Sequence, residues 1–128
     1  MGYGAYVTVT NNNPADVRLY VHGIVCMYDD GKEGSNPSYF NGLEVVSGAT
    51  EPSDGQGQYV EAIASGQCIA EGSTFTLDVN QITEGDQQLI GSLLITEQFN
   101  KYYDKPTGAV EAVINNGEDQ ATIQVTVT

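Results

Sequence analysis

The closing stretch Ala121-Thr-Ile-Gln-Val-Thr-Val-Thr128 alternates apolar and polar residues with period two. Successive side chains of an extended chain point to opposite sides, so Ala121, Ile123, Val125 and Val127 share one face and Thr122, Gln124, Thr126 and Thr128 the other. A strand with one dry and one wet face follows. The same alternation recurs over residues 5–10, where Val7 and Val9 face one way, and in Val17, Leu19 and Val21 set against Arg18, Tyr20 and His22. Between these two runs, Asn11-Asn-Asn-Pro14 is dense in turn-forming residues, so the first two strands are expected to pair as an antiparallel hairpin. Gly23 interrupts the pattern, and residues 24–28 read either as a third strand or as the second continued past a bulge.

Residues 29–58 are the least regular part of the chain. Beyond them, residues 59–64, 74–79, 89–96 and 110–114 read as further strands separated by Gly66, Gly72, Glu84-Gly-Asp86 and Pro106-Thr-Gly108. With residues 121–128 this predicts an all-β, antiparallel β-sandwich of about eight or nine strands. The alternation selects Val7, Val9, Leu19, Val21, Phe75, Leu77, Leu93, Ile95, Val113, Ile123, Val125 and Val127 as the shared core. The 128 residues read as a single domain, long enough to bury a two-layer core. No apolar run approaches the roughly 20 residues of a membrane helix. Met1-Gly-Tyr-Gly lacks the basic and apolar regions of a secretion signal. The expectation is a soluble protein, either cytoplasmic or exported by a route without a classical signal.

Seventeen acids against four bases leave a net charge of −13. Such a surface repels nucleic-acid phosphates and anionic headgroups, so nucleic acid is not an expected partner. The acids are spread along the chain, as a solvated rim of loops and outward strand positions requires. Four acidic turns, Asp29-Asp-Gly-Lys-Glu33, Glu51-Pro-Ser-Asp-Gly55, Glu84-Gly-Asp86 and Asn116-Gly-Glu-Asp119, nevertheless invite calcium, which favours clustered carboxylate and carbonyl oxygens. The candidate ligands are Asp29, Asp30, Glu33, Glu51 and Asp54; ordinary hairpin turns need the same residue types, and none of these stretches matches an EF-hand loop.

The lone histidine, His22, has no partner in a metal-ligand spacing and reads as a surface or edge residue. Cys26 and Cys68 fit neither a zinc site nor a Cys-x-x-Cys motif. With no secretion signal to argue for an oxidising compartment, two buried free thiols are expected; a disulfide across a sheet is the alternative. No nucleophile motif, phosphate loop or cofactor fingerprint is present and no spacing selects a carboxylate pair, so the chain reads as non-enzymatic. Tyr occurs eight times and Trp never, with Tyr39-Phe40, Phe99 and Tyr102-Tyr103 in or beside loops. Rings of this kind either cap a core or contact a ligand, and Tyr39, Phe40, Tyr102 and Tyr103 are the ligand-contact candidates.

Three patches, taken in order, resemble the aegerolysins: the opening Tyr3-Gly-Ala-Tyr-Val-Thr-Val-Thr-Asn11, the middle Ala64-Ser-Gly-Gln-Cys-Ile-Ala-Glu-Gly-Ser-Thr-Phe-Thr-Leu-Asp78, and the closing strand. Within the middle patch, Cys68 followed by Ala-Glu-Gly-Ser-Thr and an aromatic-led strand is the most suggestive element. The resemblance implies a small acidic β-sandwich that recognises neutral membrane lipids and recruits a larger pore-forming partner. Two other functions fit the residues. One is a lectin-like module that binds carbohydrate with calcium on the acidic loops; the other is a structural subunit whose Thr-rich faces pack against copies of itself.

Overall fold

The computed structural model describes residues 2–128. Ten strands form two five-stranded sheets. The first sheet contains β1 (Gly4–Asn11), β4 (Thr50–Glu51), β5 (Gln58–Glu61), β9 (Val110–Asn116) and β10 (Gln120–Val127). In it β1 and β10 are the central pair, β9 flanks β10, and both β4 and β5 pair with the other edge of β1. The second sheet runs β3 (Glu44–Val45), β2 (Val17–Val25), β6 (Ser73–Thr83), β7 (Asp86–Glu97) and β8 (Tyr102–Gly108). One short helix, α1 (Gln67–Glu71), precedes β6, and two 3-10 turns, Lys32–Gly34 and Pro37–Phe40, lie in the irregular stretch. No helix among the described residues is long and apolar enough to cross a membrane.

The alternation fixes the core. Ala5, Val7 and Val9 of β1 and Ala121, Ile123, Val125 and Val127 of β10 are buried and form one inner layer; Val17, Leu19, Phe75, Leu77, Val79, Leu93 and Ile95 form the facing one. Burying side chains of this size contributes about 1.5–3 kcal/mol each. Two expected core members differ. Val21 is half-buried, and Val113 is 66% exposed. Val113 pairs with Gln124, an outward residue of β10, so Val110, Ala112 and Ile114 hold the inward positions of β9. A small alanine at one inward position and a valine at the outward one conceal the true register.

The expected hairpin of β1 and β2 does not form; the two strands lie in different sheets. The asparagines between them carry the chain across the sandwich. Asn11 Oδ1 accepts from the Asn13 N–H and Asn13 Oδ1 from the Ala15 N–H, both at 2.9 Å. Buried Asn11 Nδ2 donates to the Ala15 and Val45 carbonyls, also at 2.9 Å. The β1 edges are filled by β10, in parallel, and by β4 and β5. Residues 24–25 continue β2 past a bulge after His22, with Gly23 at φ +67°. The Pro106-Thr-Gly108 stretch, expected as a turn, is the end of β8, an edge strand where the missing N–H of Pro106 costs no internal ladder bond. His22 lies on the outer face with Nε2 2.8 Å from Asp78 Oδ2.

Candidate recognition site

Past the end of β2 the backbone turns sharply at Cys26, φ +58°, and Met27 bridges Ala62. The Ile63 N–H donates to the Cys26 carbonyl at 2.8 Å, which sets the two segments side by side. Helix α1 then returns Cys68 to Cys26, and the two form a disulfide with a Cα–Cα separation of 5.6 Å. The expected free thiols are therefore corrected. The two cysteines lie 42 residues apart in sequence, and only the Met27–Ala62 bridge and the short helix after it bring them together.

Helix α1 packs against the turn joining β7 and β8. Gln98 Nε2 donates to the Ala70 carbonyl at 2.7 Å, and Gln98 and Lys101 exchange backbone bonds at 3.0 and 3.2 Å. The two residues inside this turn, Phe99 and Asn100, sit at φ +54° and +61°. Asparagine tolerates the left-handed region, whereas a bulky phenylalanine there is strained, a pattern that clusters at functional sites. The Phe99 side chain is 75% exposed.

Between helix and turn lies a mostly apolar cleft of about 200 Å³, walled by Ile63, Cys68, Ile69 and Phe99, with Glu97 as its one acidic group. Glu97 is only 8% exposed. It occupies an inward position of β7, two residues after Ile95. Glu97 Oε2 accepts from the Asn100 N–H at 3.0 Å, and Oε1 has no hydrogen-bond partner among the described residues. Burial pushes the carboxyl above its ordinary range, only partly offset by the Asn100 N–H. Nearby, Tyr102 donates its hydroxyl to the Tyr3 carbonyl, and Tyr59 donates to Glu61 Oε1 at 2.6 Å. Burial, chiefly, raises the pKa of all three tyrosines.

Four of the seven exposed large apolar side chains among the described residues lie around the cleft; Val46, Leu89 and Val113 lie elsewhere. Val25, Thr74, Thr96 and Tyr103 form one row across β2, β6, β7 and β8 on the outer face of the second sheet. Val25, Ile69, Phe99 and Tyr103, each more than half exposed, therefore share the disulfide-bearing end of the sandwich.

The aromatics singled out from the sequence separate. Phe40 and Tyr102 are core residues, at 0% and 2% exposure, and offer solvent no ring. Tyr39 packs edge-on against Phe40, and its pKa is raised by burial and then by the Glu51 and Asp54 carboxylates. Tyr103 alone of the four adjoins the apolar end.

The calcium candidates are not gathered either. Asp29 accepts from the Ser38 N–H at 3.1 Å and the Ser38 hydroxyl at 2.6 Å. Asp54 Oδ1 accepts from the Gln56 and Gly57 N–H groups, both at 2.9 Å, which hold its carboxyl below the ordinary range. Asp30 and Glu33 are exposed turn residues at positive φ, and Glu51 is in β4. Among the described residues no group of three or more His, Cys, Asp or Glu side chains is arranged to hold a metal.

Ile69 and Glu97 carry no signal as isolated residues. The signal that would have found Glu97 is its place on the inward side of the Leu93, Ile95 alternation, where a carboxylate is costly. Compared with known proteins, the chain matches no family and no curated sequence.

Proposed function

We propose that this protein is a non-enzymatic recognition module that docks its disulfide-bearing end onto a membrane surface of zwitterionic or neutral lipid. The observation behind this reading is the convergence of Val25, Ile69, Phe99 and Tyr103 at one end of a strongly acidic molecule. Phe99, on a strained turn, is the side chain best placed to enter the headgroup boundary, and Tyr103 can keep its hydroxyl wet while its ring is buried. A net charge of −13 with no basic patch disfavours anionic surfaces, so apolar contact must supply the affinity. The Glu97 cleft fits the same partner. A buried carboxylate beside an aromatic ring suits the quaternary ammonium of a choline headgroup, whose positive charge offsets the burial of the carboxylate and lies against the ring face.

The disulfide supports a working place in an oxidising compartment, outside the cytosol. A larger partner that builds a pore on the docked module is compatible with this reading and is tested separately, by adding such partners to vesicles already carrying the protein.

Co-sedimentation with vesicles tests the docking. Phosphatidylcholine vesicles should retain the protein, phosphatidylserine vesicles should not, and Phe99→Asp should abolish retention without lowering the melting temperature. Binding confined to anionic vesicles, or to none, would remove the membrane reading.

A further inference from the structure

The outer faces of the two sheets treat their polar side chains differently. On the second sheet they satisfy one another: Arg18 pairs with Glu44 at 2.9 Å, Tyr20 donates to Gln87 at 2.9 Å, and Asp78 takes both His22 and the Ser92 hydroxyl. On the first sheet a trough of about 630 Å³ runs over β1 and β10, lined by Thr8, Thr10, Thr50, Ser53, Gln124 and Thr126. Only Thr10 and Thr50 bond to each other, at 2.7 Å. The hydroxyls of Thr8, Ser53 and Thr126 and the amide of Gln124 have no hydrogen-bond partner among the described residues. Among the described residues no ionisable side chain lines the trough, in a chain of 17 acids.

The trough is built in advance of any ligand. Strands β1 and β10 align Thr8 with Gln124 and Thr10 with Thr126, so the floor is two rows of donor-acceptor groups on a rigid sheet. The wall is the loop of residues 52–57 between β4 and β5, pinned by Asp54, whose carboxylate turns to the Gln56 and Gly57 N–H groups. Gly57, at φ +108°, lets that loop rejoin β1 where a Cβ would sit 3.0 Å from the Val7 carbonyl oxygen.

Hydroxyls and a carboxamide each both donate and accept, and the threonine methyls between them offer small apolar contacts. That array has no charge for an ion, no deep apolar pocket for a hydrophobic side chain and no free strand edge for a peptide. It complements a surface that alternates hydroxyl groups with C–H faces. The volume falls within the roughly 300–1,000 Å³ of small-molecule sites. We propose that the trough is a metal-independent binding site for an uncharged glycan, separate from the apolar end of the molecule. A preformed array of this kind limits the ordering cost of binding to the ligand.

Titration of the isotope-labelled full chain with maltotriose, cellotriose, mannotriose and chitotriose, followed by amide NMR in the presence of EDTA, tests the site. At least one of these should shift the amides of Thr8, Thr10, Gln124 and Thr126 at millimolar concentration. Thr126→Val, which keeps the shape and removes the hydroxyl, and Gln124→Ala should each weaken that glycan by about tenfold, with unchanged melting. Phe99→Asp should leave glycan binding intact. The proposal is overturned if none of the four sugars shifts these amides, if the shifts map to the Cys26–Cys68 end, or if EDTA abolishes them.

Discussion

Tyr102 of β8 donates its buried hydroxyl to the backbone carbonyl of Tyr3 at 2.7 Å, and the two rings stack with centroids 5.5 Å apart, tying the two sheets together beneath the recognition end. The Tyr3 carbonyl also accepts from the Ala62 N–H, so it keeps a partner if the hydroxyl is removed. Tyr102→Phe should therefore cost only about 0.5–1.5 kcal/mol, whereas Tyr102→Ala, which also opens a cavity, should cost about 3–5 kcal/mol. Tyr103→Ala, on the exposed side of the same strand, should stay within about 0.5 kcal/mol. Denaturant melts of the three variants check the split. Equal losses for Tyr102→Ala and Tyr103→Ala would contradict the placement of β8.

The register of the core is testable in the same way. Leu77, buried between Val21 on β2 and Leu93 on β7, should lose about 2–5 kcal/mol on truncation to alanine. Thr76→Ala and Val113→Ala, both on outward positions, should cost far less. A large loss at Val113 would mean that β9 is shifted by one residue from the pairing described.

The disulfide closes a separation of 42 residues and anchors α1, which has few other ties. Reduction, or Cys26→Ser with Cys68→Ser, should destabilise the fold by roughly 2–4 kcal/mol. It should also loosen the cleft wall first, so that hydrogen exchange at Ile69 and Ala70 accelerates before that of β6. Unchanged exchange there on reduction would show that the helix holds without the bridge.

Glu97 gives the stability a definite pH dependence. Its folded-state value is raised above the ordinary 4.5, so between those two values the folded chain binds more proton than the unfolded one. Its contribution therefore favours folding at low pH and is lost as pH rises through that window. Glu97→Gln removes the charge yet keeps an acceptor for the Asn100 N–H. The variant should gain in melting temperature relative to the wild type on going from acid to neutral pH, while losing affinity for phosphocholine headgroups. A difference between the two proteins that is constant with pH would contradict the raised value.

The dry and wet faces of β1, β6, β7 and β10 were legible because period-two alternation is a local property that each strand carries by itself. Which strands adjoin is not local. Val7 and Val9 announce a strand, but nothing in their neighbourhood says that the partner is Ile123 and Val125 rather than Leu19 and Val21. The disulfide was hidden for the same reason, since it needs the Met27–Ala62 bridge before its geometry exists. At the candidate site the sequence pointed to aromatics in loops, and Phe99 is one, but Tyr102 has the inward parity of an edge strand and reads as exposed only if β8 is taken for a loop. The polar trough was written in the threonines of β1 and β10, yet it becomes a site only once those strands lie side by side with the 52–57 loop above them.

The parallel pairing of β1 with β10 also dictates when the protein can become itself. β1 has its principal neighbour in β10, the last strand described, so the first sheet has no centre until both strands have been made. The second sheet, by contrast, gains a hairpin of β6 and β7 from adjacent sequence, joined through the left-handed Glu84-Gly85 turn. Assembly therefore runs from this local hairpin toward the most distant contact in the chain, a topology associated with slow folding. Until β10 arrives, Val7 and Val9 have an open edge beside them, and a nascent or truncated chain is exposed to pairing with its neighbours during that interval.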